Sequence, residues 1–296
     1  MDEQQWLTAA FEEHRPHLRA VAYRMLGSSS DAEDAVQEAW IRLDRTDVTG
    51  VDNLRGWLTT VVARVSLNHL RARQRRREGP LDVHLPELVL GPAVGRDPEE
   101  EAVVADSVGL ALLVVLDSLT PAERLAFVLH DVFAVPFEEI APLLERTPAA
   151  ARQLASRARR RVREAGPAPD VGLAAQREVV DAFFAAGRNG SFDQLIAVLH
   201  PDVTLRVDVG AAAATVDNIT TGATAVARRA RMFADARLRV HPVTVNGAAG
   251  VVVLDAGRPV SVMGFTVVAG RIVTIDVLRD PERLDRLDLA GLHLAD

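Results

Sequence analysis

From Trp6 to Arg163 apolar residues recur at helical spacing with almost no strand-like alternation, so this half of the chain is expected to be all helical. One interruption divides it. The stretch GPLDVHLPELVLGPAVGRDPEEE, residues 79–101, holds four prolines and three glycines. Proline removes a helix donor and glycine loses the most backbone entropy on ordering, so no regular helix survives there. The segment predicts an extended linker, residues 78–106, between helical domains at 5–77 and 107–165. A second boundary falls at AGPAPDVG, residues 165–172. Beyond it, helical patterns (173–189, 192–199, 223–233) mix with β-branched alternating segments at 203–209, 238–245, 250–254, 260–268 and 271–277. Turn signals at Asn246-Gly247 and Ala269-Gly270 predict antiparallel hairpins. Residues 173–296 therefore read as an α+β domain with one curved antiparallel sheet. A length of 296 residues fits two or three such domains.

Charge is distributed unevenly. The net value of −7 alone argues against a nucleic-acid binder, yet all 34 basic residues are Arg and they are bunched. Arg55 to Arg77 holds seven Arg and no acid, and Arg146 to Arg163 holds another seven and no acid. Between them, Glu78 to Asp106 carries eight acids against Arg96 alone. Cysteine is absent, which removes disulfides and thiolate metal sites. The start, MDEQQWLTAAFEEHRPHL, is acidic and amphipathic, and no run approaches the ~18 apolar residues of a membrane span. A soluble, cytoplasmic protein without membrane contact is expected.

In TPAERLAFVLHDVFAVPFEEIAPLLERTPAAARQLASRARRRVRE, Phe137, Ile140, Ala141 and Leu144 form one inward stripe on a short helix. Thr147 suits an N-cap and Pro148 the first helical position, so a second helix starts there. Leu154, Ala158 and Val162 are expected to face inward. Arg152, Ser156, Arg159, Arg160 and Arg163 then lie outward, with Gln153 and Arg157 alongside. This is a helix-turn-helix arrangement whose second helix suits the major groove. Arg and Gln near its start can reach base edges while later Arg neutralise phosphates. A solvated basic helix in an ordinary bundle remains the alternative for this segment alone.

The first basic block is patterned in the same way. Leu54, Trp57, Leu58, Val61, Val62 and Val65 form a buried stripe, while Arg64, Asn68, Arg71 and Arg75 share another face. One helix can thus pack inward and touch DNA outward. The preceding loop, RTDVTGVDN, is polar and suited to holding a base flipped from its stack. Trp57 belongs to the apolar stripe. In SSSDAEDAVQEAWIRL, Asp31, Asp34 and Glu38 share one side of a helix and Val36, Ala39, Trp40 and Leu43 another; first-turn carboxylates also suit the helix dipole.

DAEDAVQEAWIRL followed by RGWLTTVVARVSLNHLR resembles region two of the extracytoplasmic-function sigma factors. LTPAERLAFVLHDVFAVPFEEIAPLL with TPAAARQLASRARRRV resembles their region four. The resemblance covers residues 8–163. It implies that Asp31, Asp34, Gln37 and Glu38 bind the clamp helices of the largest subunit of core RNA polymerase. The loop at 46–53 with Arg55, Arg64, Asn68, Arg71 and Arg75 would read and open the −10 element of promoter DNA, Asn53 closing that loop. Arg152, Gln153, Ser156, Arg157 and Arg160 would read the −35 element. The acidic linker would thread the RNA exit path.

The last domain resembles the SnoaL-like cone fold appended to one group of these factors, which has a linker motif of the type WLPEP and later motifs of the types DGGGR and NPDKL. His84-Leu85-Pro86-Glu87-Leu88 and Asp280-Pro281-Glu282-Arg283-Leu284 are variants of the first and third. Asp208-Val209-Gly210-Ala211-Ala212 keeps only the Asp and one Gly of the second. Leu85, Pro86, Glu87, Asp208, Gly210, Asp280, Pro281 and Leu284 are therefore the expected regulatory contacts, acting in cis on transcription. SnoaL-like folds also host enzymes that use an Asp or His base, but Asp208, His200, His241 and Asp276 form no motif, so no catalysis, cofactor or metal is expected. Room is left for a small ligand in the C-terminal pocket. The competing function is a helix-turn-helix regulator with a sensing or enzymatic cone domain, which would not need the second basic helix or the acidic face before it.

Overall fold

The computed structural model describes residues 3–45, 53–76, 85–93, 110–164, 172–210, 218–230, 237–289 and 292. The chain forms two compact units, one of Met1–Glu78 with Leu113–Gly166, the other of Gly79–Leu112 with Pro167–Asp296.

The first unit is helical. α1 (Glu3–Leu26), α2 (Ser29–Leu43) and α3 (Leu54–Arg76) pack on one another. Their common core contains Leu18, Val21, Met25, Leu43, Leu58 and Val62, all at most 1% exposed. After α4 (Leu110–Asp117), which belongs to this unit from Leu113 on, α5 (Pro121–Phe127) runs into a π-helical turn at Val128–Val132; α6 (Phe137–Leu144) and α7 (Pro148–Glu164) follow. α5 begins with a capping box: the Thr120 hydroxyl accepts from the Glu123 amide and the Glu123 carboxylate accepts from the Thr120 amide.

The second unit is built on one seven-stranded sheet of order β1-β4-β5-β6-β7-β2-β3. Its strands are β1 (Leu90–Pro92), β2 (Leu199–Asp208), β3 (Ile219–Thr221), β4 (Leu238–Val245), β5 (Ala248–Asp255), β6 (Arg258–Val268) and β7 (Arg271–Leu278). α8 (Leu173–Arg188), α9 (Phe192–Val198) and α10 (Ala223–Ala230) share a core with the sheet around Phe183, Phe184 and Phe265. α11 (Pro281–Leu284) closes the described part.

This sheet corrects the expected cone with an antiparallel sheet. β2 and β7 run parallel, so the sheet is mixed, and it is open, with β1 and β3 as separate edges. Hairpin signals in the sequence report only neighbouring strands, here β4–β5 across Asn246-Gly247 and β6–β7 across Ala269-Gly270. The β2–β7 pairing instead joins strands separated by the whole of β3 to β6, a crossover that no local turn encodes. The linker also differs from a wholly extended connection. Leu90 pairs with Val245 and Pro92 with Val243, making the linker itself the edge strand beside β4. A proline is tolerated there because an edge strand has one unpaired side.

Candidate functional site

The acidic face stands on α2. Ser28 caps the helix by accepting from the Asp31 amide at 3.2 Å, and Ala32, Ala35, Val36, Ala39 and Leu43 turn inward. Trp40 is half-buried, its ring 5.0 Å from that of Phe11. Asp34 and Gln37 are exposed. Asp31 lies 3.7 Å from the Arg73 guanidinium, and Glu38 pairs with Arg42 one turn on. Such exposed pairs hold by less than ~1 kcal/mol, so both carboxylates can exchange partners.

On α3, Leu58, Val62 and Val65 are buried while Leu54, Trp57 and Val61 are only half-buried, being at the margins of the stripe. Asn53 caps the helix by accepting from the Gly56 amide at 2.9 Å. A Cβ at Gly56 would come within 2.6 Å of the Asn53 side-chain amide nitrogen, so a side chain there would oblige the capping amide to shift. Arg64, Asn68 and Arg75 are exposed and Arg71 is half-buried. Arg55 is also exposed, its guanidinium 3.1 Å from His17 Nδ1. Arg73 of the same block turns inward and donates to the Leu26 carbonyl at 3.1 Å. The expected base-holding loop at 46–52 lies outside the described residues.

The helix-turn-helix turns at Glu145, which closes α6 in the left-handed region (φ 55°). Thr147 then accepts from the Ala150 amide at 3.2 Å, as an N-cap does. The inward line of α7 is Ala151, Ala155 and Ala158, with Leu154 and Val162 half-buried beside it. Of the expected Leu-Ala-Val line Ala158 is fully buried and the other two only partly, Ala151 and Ala155 being the buried residues instead, a choice that hydrophobicity alone does not signal. Gln153, Ser156, Arg157, Arg160 and Arg163 are exposed. Arg152 is exposed as well, but its guanidinium lies over the Phe137 ring, 5.2 Å from the centroid. Arg159 pairs with Asp131 at 3.3 Å and Arg161 with Glu123 at 3.2 Å.

The two helical groups of this unit meet at Arg124, only 2% exposed. Its Nε donates to the Arg24 carbonyl and another nitrogen to Asp117, each at 3.1 Å. The Arg24 guanidinium in turn lies 5.0 Å from the Phe133 ring centroid.

In the second unit the three variant motifs come together. The Asp208 carboxylate, 1% exposed, accepts from the Leu85 amide at 2.8 Å and the Gly210 amide at 3.1 Å, and pairs with Arg283. Arg283 also donates to the Pro86 carbonyl at 2.9 Å. Asp280 caps α11 by accepting from the Glu282 amide at 3.0 Å, with Pro281 in the first helical position. Leu85, Leu88 and Leu284 are buried and Glu87 is half-buried. Gly210 has φ +74°, and a Cβ there would meet the Asp280 carboxylate at 2.8 Å. One residue further along the linker's course, Val89 and Asn246 exchange two bonds: Val89 N donates to Asn246 Oδ1 at 3.2 Å and Asn246 N to the Val89 carbonyl at 2.8 Å. Arg283 and Asn246 were not among the expected contacts. The only sequence signal for Arg283 was its place inside the last motif.

The candidate acids and bases have other duties. Arg206 holds Asp276 through two bonds of 2.6 and 3.0 Å, and burial pushes the Asp276 carboxyl above its ordinary range despite that cation. His200 Nδ1 accepts from the Asp202 amide at 3.2 Å. His241 sits half-buried on β4. Among the described residues no cluster of His, Cys, Asp and Glu is placed to hold a metal, and no helix is long and apolar enough to cross a membrane. A cavity of about 250 Å³ opens between sheet and helices, lined by Phe183, Leu205, Val253, Met263 and Ile275, with Arg229 among its polar groups.

Residues 10–76 match the Sigma-70 region 2 family and residues 109–162 the Sigma-70, region 4 family. The chain is 42% identical over 291 residues to the ECF RNA polymerase sigma factor SigJ of Mycobacterium tuberculosis, covering 95% of this chain and 90% of that relative. It is 36% identical over 299 residues to the probable ECF RNA polymerase sigma factor SigI of the same species, covering 98% and 100%. The crystal structure of M. tuberculosis SigJ superposes with a TM-score of 0.71 at 37% identity, over 94% of this chain and 98% of that one. A distant likeness to an NTF2-like protein from Burkholderia xenovorans, at 19% identity over 40% of this chain and 98% of that one with a TM-score of 0.29, is too slight to carry an argument.

Proposed function

This chain belongs to the extracytoplasmic-function sigma factors, which direct RNA polymerase to promoters, and from that premise we propose how its surfaces divide the work. Asp31, Asp34, Gln37 and Glu38 dock on the clamp helices of core polymerase, with exposed Asp34 and Gln37 making first contact. Asn53, Arg55, Arg64, Asn68, Arg71 and Arg75 engage the −10 element. Arg152, Gln153, Ser156, Arg157 and Arg160 engage the −35 element. The observation that carries this reading is the segregation of charge: carboxylates line α2, whereas the exposed faces of α3 and α7 present arginine. Run-off transcription with core polymerase tests it. Arg64→Ala with Arg71→Ala should abolish promoter opening while leaving polymerase binding intact; opening at the wild-type level would overturn the assignment of α3.

The second unit regulates in cis by grasping the linker. Support comes from Asp208 and Arg283, which bond to Leu85 and Pro86 and so attach the linker to the sheet. A chain ending near Gly166 loses that grasp and should transcribe from promoters to a different extent than the full chain. Equal transcription would overturn the regulatory role. The apolar cavity supports a second reading, in which a small ligand occupies it; calorimetric titration of the full chain with small apolar acids checks this.

A further inference from the structure

Phe137 opens α6 and is buried (7% exposed), yet its ring serves two cationic or polar neighbours. His130 stacks on it, with centroids 3.8 Å apart and planes 28° apart. The imidazole is itself fixed, because its Nδ1 lies 3.0 Å from the Val135 carbonyl. A carbonyl can only accept, so Nδ1 carries the proton. The phenyl ring is thus packed against a side chain that cannot turn without losing a hydrogen bond. Arg152, the fifth residue of α7, rests its guanidinium over that ring at 5.2 Å while its side chain stays exposed. This is cation–π geometry.

An unsupported arginine on a helix samples many rotamers and loses them on meeting a base edge. Bidentate recognition also demands that the planar guanidinium fork arrive in one orientation. The Phe137 ring limits both: it removes rotamers before DNA is present and sets the direction in which the fork leaves α7. Arg157 and Arg160, further along the same helix, have no aromatic contact of this kind among the described ring contacts.

We propose that Phe137, which is too buried to read DNA itself, is the positioning residue for Arg152 and thereby determines base preference at one base pair of the −35 element. The proposal rests on the assignment of α7 to the −35 element given above. The test uses holoenzyme made from the full chain and core polymerase, on a promoter selected by the wild-type holoenzyme from random DNA. Affinity is measured for every single substitution of its −35 element. Phe137→Leu should lower discrimination about threefold to tenfold at the same base pair that Arg152→Ala flattens, leaving the other positions unchanged. The double variant should add less than about twofold to either single one, and Phe137→Trp, which keeps a π-face, should retain the preference. In the free chain, the ring-current shift of the Arg152 side-chain protons should vanish in Phe137→Leu. Where that variant fails to fold, Phe137→Met supplies the same comparison.

A uniform loss of affinity with discrimination intact in Phe137→Leu would overturn the positioning role, as would additive effects in the double variant. If Arg152→Ala itself leaves every preference unchanged, the assignment of α7 falls with it. If Arg152→Ala flattens one position and Phe137→Leu does not, the assignment stands and only the role of Phe137 is lost.

Discussion

Asp208 holds the backbone of Leu85, 123 residues earlier in the chain, by accepting its amide hydrogen at 2.8 Å in a buried site. The same carboxylate neutralises Arg283. Removing it deprives two amides, those of Leu85 and Gly210, of their acceptor and leaves Arg283 with the Pro86 carbonyl in place of a counter-charge. Asp208→Ala is therefore expected to destabilise the second unit by about 3 kcal/mol, read by urea unfolding, with faster amide exchange at Leu85.

Gly210 is the glycine retained from the variant motif, and its φ of +74° is one that residues with a Cβ adopt at a cost. Gly210→Ala should cost about 1–2 kcal/mol from the backbone alone, and more if the Asp280 cap is displaced. Melting temperature checks it. An unchanged value would mean that the turn relaxes freely.

Burial raises the Asp276 carboxyl, and Arg206 opposes the shift without cancelling it. A carboxyl whose native pKa exceeds its unfolded value contributes stability in acid and loses that contribution as pH rises through the native pKa. Arg206→Met removes the opposing cation, so its destabilisation should be larger at pH ~8, about 3 kcal/mol, than at pH ~5, because acid favours the protonated carboxyl and so lessens the loss of its partner. Urea unfolding at both pH values measures the difference.

Reversing charge on the α2 face tests polymerase docking. Asp34 is exposed and Glu38 partly so, and neither contributes to the core. Asp34→Arg with Glu38→Arg should leave the helical signal intact while weakening association with core polymerase at least ~10-fold, about 1.4 kcal/mol. Fluorescence anisotropy of a labelled chain gives the affinity.

Arg157 and Arg159 are neighbours in number with different surroundings: Arg157 is exposed, whereas Arg159 is paired with Asp131. Arg157→Ala should weaken promoter binding by ~1–3 kcal/mol at one −35 position if it contacts a base. Arg159→Ala should produce a small loss shared by all sequences. Binding across a panel of −35 substitutions separates the two.

The helices and their caps were legible because they depend on local chemistry. Thr147-Pro148 marks the start of α7 by the same donors and dihedral angles that form it. The Ala151, Ala155 and Ala158 line was less so, since alanine is compatible with either face and only tertiary packing selects one. β1 was hidden for a related reason. Leu90-Gly91-Pro92 has poor strand propensity, and its partner Val243 to Val245 lies far along the chain. The parts of the linker grasp were visible through resemblance, but not the Arg283 bonds that join them. Arg124 gave no warning either: arginine is seldom fully buried, and its three-residue surroundings read as an ordinary helix.

Buried Arg124 has a consequence for length. The unit it joins has about 130 residues and thus a radius of gyration of only ~14 Å. Elements centred about 25 base pairs apart on straight B-form DNA lie ~85 Å from one another. On the proposed division of α3 to the −10 element and α7 to the −35 element, no body of that size reaches both at once, and the Arg24–Arg124 contact would have to open for the two helical groups to travel apart.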